Sequence, residues 1–556
     1  MALTQTRPET ETQSETEVVD APTTVDGLLG SADHKTIGRA WLIAGSVFLA
    51  VAAVLGAVAG LEAVDLGGFS LLEDGEEFTQ VWSFGRELLL FGALVPMMIG
   101  LATYLVPLQI GAPAMTFARG AAGAFWTWLL ATLLLGAAYL LNGGPGGGQT
   151  DFVVLWAVSL GVMIAALLWA MTTIATTILT VRTTGMTLDR VPFTTWSFLL
   201  FSLLGLLSLP IVLAELVVIY IQVRHGFLPL GEREGLAALM DGLTVGPVLY
   251  WIAVPVLGMA VDAIGVHTGR PVKAHRAVLA AIGVFAVLAY GVDFVGMATL
   301  RPIDTNNELL PLIALATILP VLAVLGLAGS SLRSGELRMG TPLLGALVSG
   351  LLVLLATVVS LLGQAEAAAL ALIDLGADID ENSLLVLSNT TFHDGMRGLV
   401  SGAALVGLVG ALHHWGPKIW GRRLSAPLGL LSILTAAGGA VIWAAGAVLA
   451  GEADQAAYPV STLTGGENVE FFNGIAFLGL ALVAVAAVVT TINVLGAALG
   501  RPQRGGGERW SGMTLEWGTT SPPPIGNFSA APVVASATPL ADIDESTSAD
   551  SPEDAE

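Results

Sequence analysis

Charged and imidazole side chains inside apolar segments are where this sequence can do chemistry. Each is costly in a hydrocarbon interior and must face a partner or a wet cavity. Six such groups fall within or at the ends of long apolar runs: Arg86, Glu87, Asp293, His393, Asp394 and Arg397. Carboxylates and guanidiniums set together can relay protons or hold ions, and imidazoles can ligate haem or a transition metal. Tyr250 and Met396 lie in the same runs and add a phenol and a thioether. The other histidines, His34, His225, His267, His275, His413 and His414, fall near the ends of apolar runs or in loops, and Asp262 and Glu215 read as residues that pair helices. The sequence has no cysteine, which removes disulfides, iron–sulfur clusters and thiolate metal sites.

The elements that must position these groups are membrane helices. Hydrophobic residues make up 54% and charged residues 12% of the chain. Mean hydropathy is +0.78, a balance no water-soluble domain of this length needs. Uninterrupted apolar runs long enough to cross a hydrocarbon core lie near 40–61, 82–106, 122–142, 152–181, 193–222, 245–267, 275–300, 309–332, 342–363, 395–416, 426–450 and 471–499. The reading is an all-α polytopic membrane protein of twelve transmembrane helices. An even number leaves both termini on one side. With the N-terminus inside, 17 of the Lys and Arg residues fall on inner segments and only Arg224, Arg233 and Arg301 on outer ones, so both termini are expected in the cytoplasm of a multi-pass cell-membrane protein.

The net charge of −22 is partly a property of the ends. Residues 1–30 carry six acids against Arg7, and residues 529–556 carry seven acids and no base. Both stretches are too poor in apolar residues to build a core, and read as disordered acidic tails around a membrane domain over 31–528. The N-terminal stretch is acidic where a cleaved leader would be basic, so no signal peptide is expected. The acidity, with only three lysines, suits a salt-adapted or GC-rich prokaryotic source. Nothing points to nucleic acid. The glycines Gly143-Gly144 and Gly146-Gly147-Gly148 read as an outer turn and not as a phosphate loop, since no strand or basic residue accompanies them.

Several ordered patterns resemble haem-copper oxidase subunit I, also called cytochrome c oxidase subunit 1. The first is Asp33-His34-Lys35-Thr36-Ile37-Gly38 before the first span. Next comes Tyr104-Leu105-Val106-Pro107-Leu108-Gln109-Ile110-Gly111-Ala112-Pro113, followed by Met115, Phe117 and Arg119. Arg182, Gly185-Met186-Thr187, Pro192, Trp196 and Leu207-Ser208-Leu209-Pro210 follow. Trp415-Gly416-Pro417-Lys418-Ile419 closes span ten, and Thr514-Leu515-Glu516-Trp517, Ser521-Pro522-Pro523-Pro524 and Asn527-Phe528 come last. The resemblance covers nearly the whole chain. It implies a twelve-helix fold in three arcs, a place in the respiratory electron-transport chain, and reduction of dioxygen at a high-spin haem facing copper, fed by a low-spin haem and coupled to proton pumping.

The same resemblance implies ligands that this sequence does not have. The family's copper histidine on helix six falls on Gly246 and its proton-relay glutamate on Val248, while Tyr250 and Pro255 match. Its histidine pair on helix seven falls on Gly291-Val292, or on Val292-Asp293. The low-spin haem ligand of span two falls on Gly85, or on Phe84 with one residue inserted, and the paired histidines of span ten fall on Gly395-Met396-Arg397 or one residue later. The proton-channel aspartate falls on Ala114, the asparagines after it on Gly120-Ala121, and the channel lysine on Val324.

Ligands for haem a, haem a3 and CuB are therefore missing, together with the proton routes. The expectation is an oxidase-like pseudoenzyme with no catalytic residue, no metal ligand and no assigned cofactor. Its structural, assembly or regulatory role would lie beside other respiratory-complex subunits in the lipid bilayer. Haem carried by unusual ligands stays open, with Met97, Met98, Met297 and Met396 at hand. So does a conduit for protons, ions or a solute through the vacated cavity. In that space Arg86, Glu87, Tyr250, Asp293, His393, Asp394, Met396 and Arg397 are the candidates for a replacement polar network, and the plain alternative is that Asp394 and Arg397, three residues apart, pair on one helix face.

Overall fold

The computed structural model describes residues 30–64, 71–72, 75–145, 149–225, 251–299, 309–334, 337–363, 390–456, 468–501 and 512–540, with a few isolated positions between them. Residues 291–299 and 309–314 are described by their helical course alone. Each apolar run expected to cross the membrane contains one helix. In chain order these are α1 His34–Glu62, α2, α3 Ala118–Leu140, α4 Thr150–Thr180, α5 Phe193–His225, α6 Ala253–Thr268, α7 His275–Thr299, α8 Leu309–Ser334, α9 Thr341–Leu362, α10 Phe392–Trp420, α11 Ala426–Glu452 and α12 Val469–Leu499. α2 is assembled from Gly75–Glu87, a π-helical Leu88–Leu94 and Val95–Gln109. By length and apolarity, ten helices among the described residues can cross a membrane; α6 and α7 are apolar over shorter described stretches.

Helix ends follow local chemistry. The Asp33 side chain accepts the Lys35 backbone N–H and caps α1. Prolines sit in the first turns of α9 and α11, where the missing N–H costs nothing. α6 and α10 stop at Gly269 and Gly421, whose φ of 64° and 65° is the left-handed conformation that favours glycine at a helix end.

Neighbours in sequence pack side by side, and α12 returns to α1, closing the bundle. Every residue of the most apolar stretch of α10 is buried, and 94% of that of α2, against 39% for α1, α5 and α12. α6 is likewise buried along nearly its whole length. The inner helices are thus spaced four apart, with the others turning one face to lipid. Without a hydrophobic drive between helices in lipid, close backbone approach holds such bundles together. α9 meets α10 where a Cβ on Gly345 would come within 2.7 Å of Gly410, and α1 meets α2 where a Cβ on Gly38 would come within 2.9 Å of the Gly100 carbonyl.

One end of the bundle carries both ends of the described chain, and there residues 512–540 lie across the helices. Leu515–Gly518 forms a 3-10 turn. Lys418 Nζ donates to the Thr519 carbonyl at 2.8 Å and to the Thr520 carbonyl at 3.1 Å. Asn527 Nδ2 donates to the Ala112 carbonyl at 2.8 Å, and its Oδ1 accepts from Lys35 Nζ at 3.3 Å and lies 3.1 Å from His34 Nε2. The segment 529–540, expected in the acidic tail, belongs to this layer instead. Val534 is buried against Met186, Val191 and Leu515, and its N–H donates to the Thr184 carbonyl at 3.0 Å. The tail expectation averaged the short apolar Pro532-Val533-Val534 into the acidic composition of residues 541–556.

Candidate functional site

Arg86 ends the first piece of α2, and Asp394 and Arg397 occupy the first two turns of α10, at the end of the bundle away from the termini. The fold brings the three together. Both guanidiniums meet the same carboxylate oxygen: Arg86 Nη2 pairs with Asp394 Oδ1, and Arg397 Nη2 pairs with it at 2.9 Å. Arg86 is 9% exposed and Arg397 5%, and the Arg86 guanidinium lies 3.7 Å from the centre of the Trp82 ring, a cation–π contact. The i,i+3 pairing on one helix face is therefore present, and a cation from a second helix has joined it.

Glu87 does not join. Adjacent helical residues point about 100° apart, so while Arg86 turns to α10, Glu87 turns to α4. It is fully buried there and accepts from Trp156 Nε1 at 3.1 and 3.2 Å. Met396 is buried in the apolar core. His393 is half-buried, its ring edge-on to Phe392 at 5.8 Å, and it does not cap α10, whose N-cap is Thr391. Asp293 lies on α7 with its side chain outside the description, as do Gly291, Val292 and Met297; Gly246, Val248 and Tyr250 lie outside the described residues.

Of the positions where the resemblance would place haem ligands, the described glycines lie against neighbouring helices. A Cβ on Gly85 would come within 3.3 Å of Leu55 and 3.4 Å of the Gly56 nitrogen, so this position faces α1. The π-helical Leu88–Leu94 lies between this position and Pro96. A Cβ on Gly395 would come within 2.9 Å of the Ala444 carbonyl, and one on Gly398 within 2.9 Å of the Trp443 ring, so both face α11. Arg397 has no lone pair to offer a metal. Met97 lies against α1 at Gly45. Among the described residues no group of three or more His, Asp or Glu side chains is placed to hold a metal ion. The donors among the described residues do not fit two haems and a copper.

A sequence profile of the family described as cytochrome c and quinol oxidase polypeptide I matches residues 36–376. The chain belongs to this family. Among oxidase polypeptide I relatives, cytochrome c oxidase subunit 1 of Thermostichus vulcanus is 25% identical over 528 residues, covering 91% of this chain and 90% of that protein. Cytochrome c oxidase subunit 1 of Bacillus subtilis is 25% identical over 534 residues, covering 92% and 82%. A solved heme-copper terminal oxidase dimer superposes with a TM-score of 0.61 at 13% identity over 85% of each chain, a likeness of fold. The all-α oxidase polypeptide I fold and its membrane location are thereby established for this chain.

A second polar group was passed over in the sequence, at the end that carries the termini. His267 Nε2 and His414 Nδ1 lie 3.2 Å apart, both buried. Glu516 is buried beside them and accepts from Gln109 Nε2 at 3.0 Å and from Trp415 Nε1 at 3.3 Å. Asp262 Oδ2 accepts the Thr194 N–H at 2.8 Å, fastening α6 to the start of α5, the helix-pairing role its position suggested. The available signal was Glu516 itself, an acid inside an aromatic-flanked motif that the folded chain lays over the bundle.

Proposed function

We propose that the chain is a non-catalytic member of its family, a structural, assembly or regulatory subunit of a respiratory complex in the cell membrane of a prokaryote. The observation that carries this reading is the Arg86–Asp394–Arg397 cluster. Charged side chains that pair with one another stand on the helices that carry the family's haem ligands. Neighbouring Gly85 and Gly395 lie against α1 and α11, which supports positions given over to helix packing. The donor set supports a scaffold that has given up oxygen chemistry and kept its packing. Basic residues concentrated on the segments around the termini support a cytoplasmic placement of both ends. Other subunits of the complex are the expected partners, through the lipid-facing helices.

The test is a visible absorption spectrum of the purified full-length protein, oxidised and dithionite-reduced, with a pyridine haemochrome assay on the same sample. The expected result is no Soret or α band. Stoichiometric haem would overturn the proposal and restore an electron-carrying subunit with unconventional ligands.

A further inference from the structure

Between the layer formed by residues 512–540 and the ends of α5, α6 and α10 lies a cavity of about 340 Å³, the size of a small-molecule site. Phe193 and Trp517 supply aromatic wall, and Asp262, Glu516 and His414 supply polar groups. Two of these are buried with an open valence. Glu516 is 1% exposed and takes its hydrogen bonds on Oε1, leaving Oε2 without a partner among the described residues. His414 is also 1% exposed and spends Nδ1 on His267, leaving Nε2 without one. A buried polar atom left unpaired costs free energy that a ligand can recover.

Charge selects the ligand. Asp262 lies within electrostatic reach of Glu516, and so does Lys418. Lys418 spends its protons on the Thr519 and Thr520 carbonyls and the Thr519 hydroxyl, so it offsets charge without reaching the open oxygen. A charged donor pairs with a buried carboxylate oxygen more strongly than a neutral one, and the guanidinium in the cavity lining, Arg270, is exposed. A metal ion is disfavoured by the lack of a three-ligand group among the described residues. An aromatic wall and a buried, open carboxylate oxygen match an organic cation.

We infer that this cavity is a binding site for a singly charged organic amine, its ammonium on Glu516 Oε2 and its apolar body against Phe193 and Trp517. The inference is independent of whether the chain carries haem. Tryptamine, its neutral analogue tryptophol and the anion indole-3-acetate share one ring system and differ in charge. Each would be titrated by calorimetry into the full-length protein in phosphatidylcholine nanodiscs. Tryptamine is expected to bind one to one, with tryptophol and indole-3-acetate at least about tenfold weaker, the worth of one charged contact. Glu516→Gln should weaken tryptamine by about tenfold or more and leave tryptophol unchanged. Equal binding of tryptamine and tryptophol, stronger binding of the anion, or no binding at millimolar tryptamine would overturn the inference. If Glu516→Gln fails to fold, Ala537→Trp, which fills the cavity from a half-buried lining position, should abolish tryptamine binding; retained affinity in that variant would also overturn it.

Discussion

The two ends of the bundle handle buried charge in opposite ways. At the end that carries the termini, polar side chains come from segments hundreds of residues apart and close on backbone as well as on each other: Asn527 on Ala112, Lys418 on Thr519 and Thr520, and Tyr104 on the Lys418 carbonyl. At the far end, two guanidiniums share one carboxylate. The first arrangement is distributed, so losing one member leaves several others in place. The second is concentrated, with both guanidiniums on one oxygen of Asp394. The motifs of the resemblance cluster at the first end, and Gly85 and Gly395, on which two of its haem-ligand positions fall, lie at the second.

Removing Asp394 should have the largest effect. Asp394→Ala takes from two buried guanidiniums the carboxylate oxygen they share and should cost about 3–5 kcal/mol, read as a shifted unfolding transition in mixed detergent micelles by tryptophan fluorescence. A loss below about 1 kcal/mol would place the cluster in water and erase the contrast between the ends. Replacing all three residues with apolar ones (Arg86→Met, Asp394→Leu, Arg397→Met) should recover most of the loss, as buried ion clusters exchanged for packed side chains do. Asn527→Ala should cost less, about 2–3 kcal/mol, because it leaves the Ala112 carbonyl and the His34 ring short of one partner each while Lys35 keeps Asp33 at 2.8 Å. A cost matching that of Asp394→Ala would mean that the first end is no more distributed than the second.

The smallest effect concerns Asp33. Burial raises its carboxyl pKa, but the Lys35 side-chain hydrogen bond and the charges of His34 and Lys35 outweigh burial and hold it below the ordinary range. A depressed pKa gives stability that is present above the unfolded value of about 3.9 and lost as pH falls through the folded one. Asp33→Asn should therefore be less stable than the parent at neutral pH, with the gap closing below about pH 4. A gap that widens in acid would reverse the assignment.

Most of the fold was legible in the sequence. Apolar runs locate the helices because a spanning segment must be long and apolar, and motifs such as Tyr104–Pro113 fix their order. The candidate site was legible residue by residue but not in its contacts. Arg86 and Glu87 are neighbours that part company only because one helix has a second and a third helix on different sides. The π-helical turn at Leu88–Leu94 leaves no compositional trace. His267 and His414 are 147 residues apart, and no local pattern announces that they touch. Val534 was hidden by the acids downstream of it.

The contact between His34 and Asn527 spans 493 residues, which sets an order of events during synthesis. At about 5–20 residues per second, a ribosome needs on the order of 25–100 s after His34 emerges to deliver the residue that His34 meets. For that interval the first helix has its entrance unsealed, and every later helix must insert beside it. A segment made late closes the first helix, so a chain interrupted before residue 527 leaves a bundle whose seam stays open.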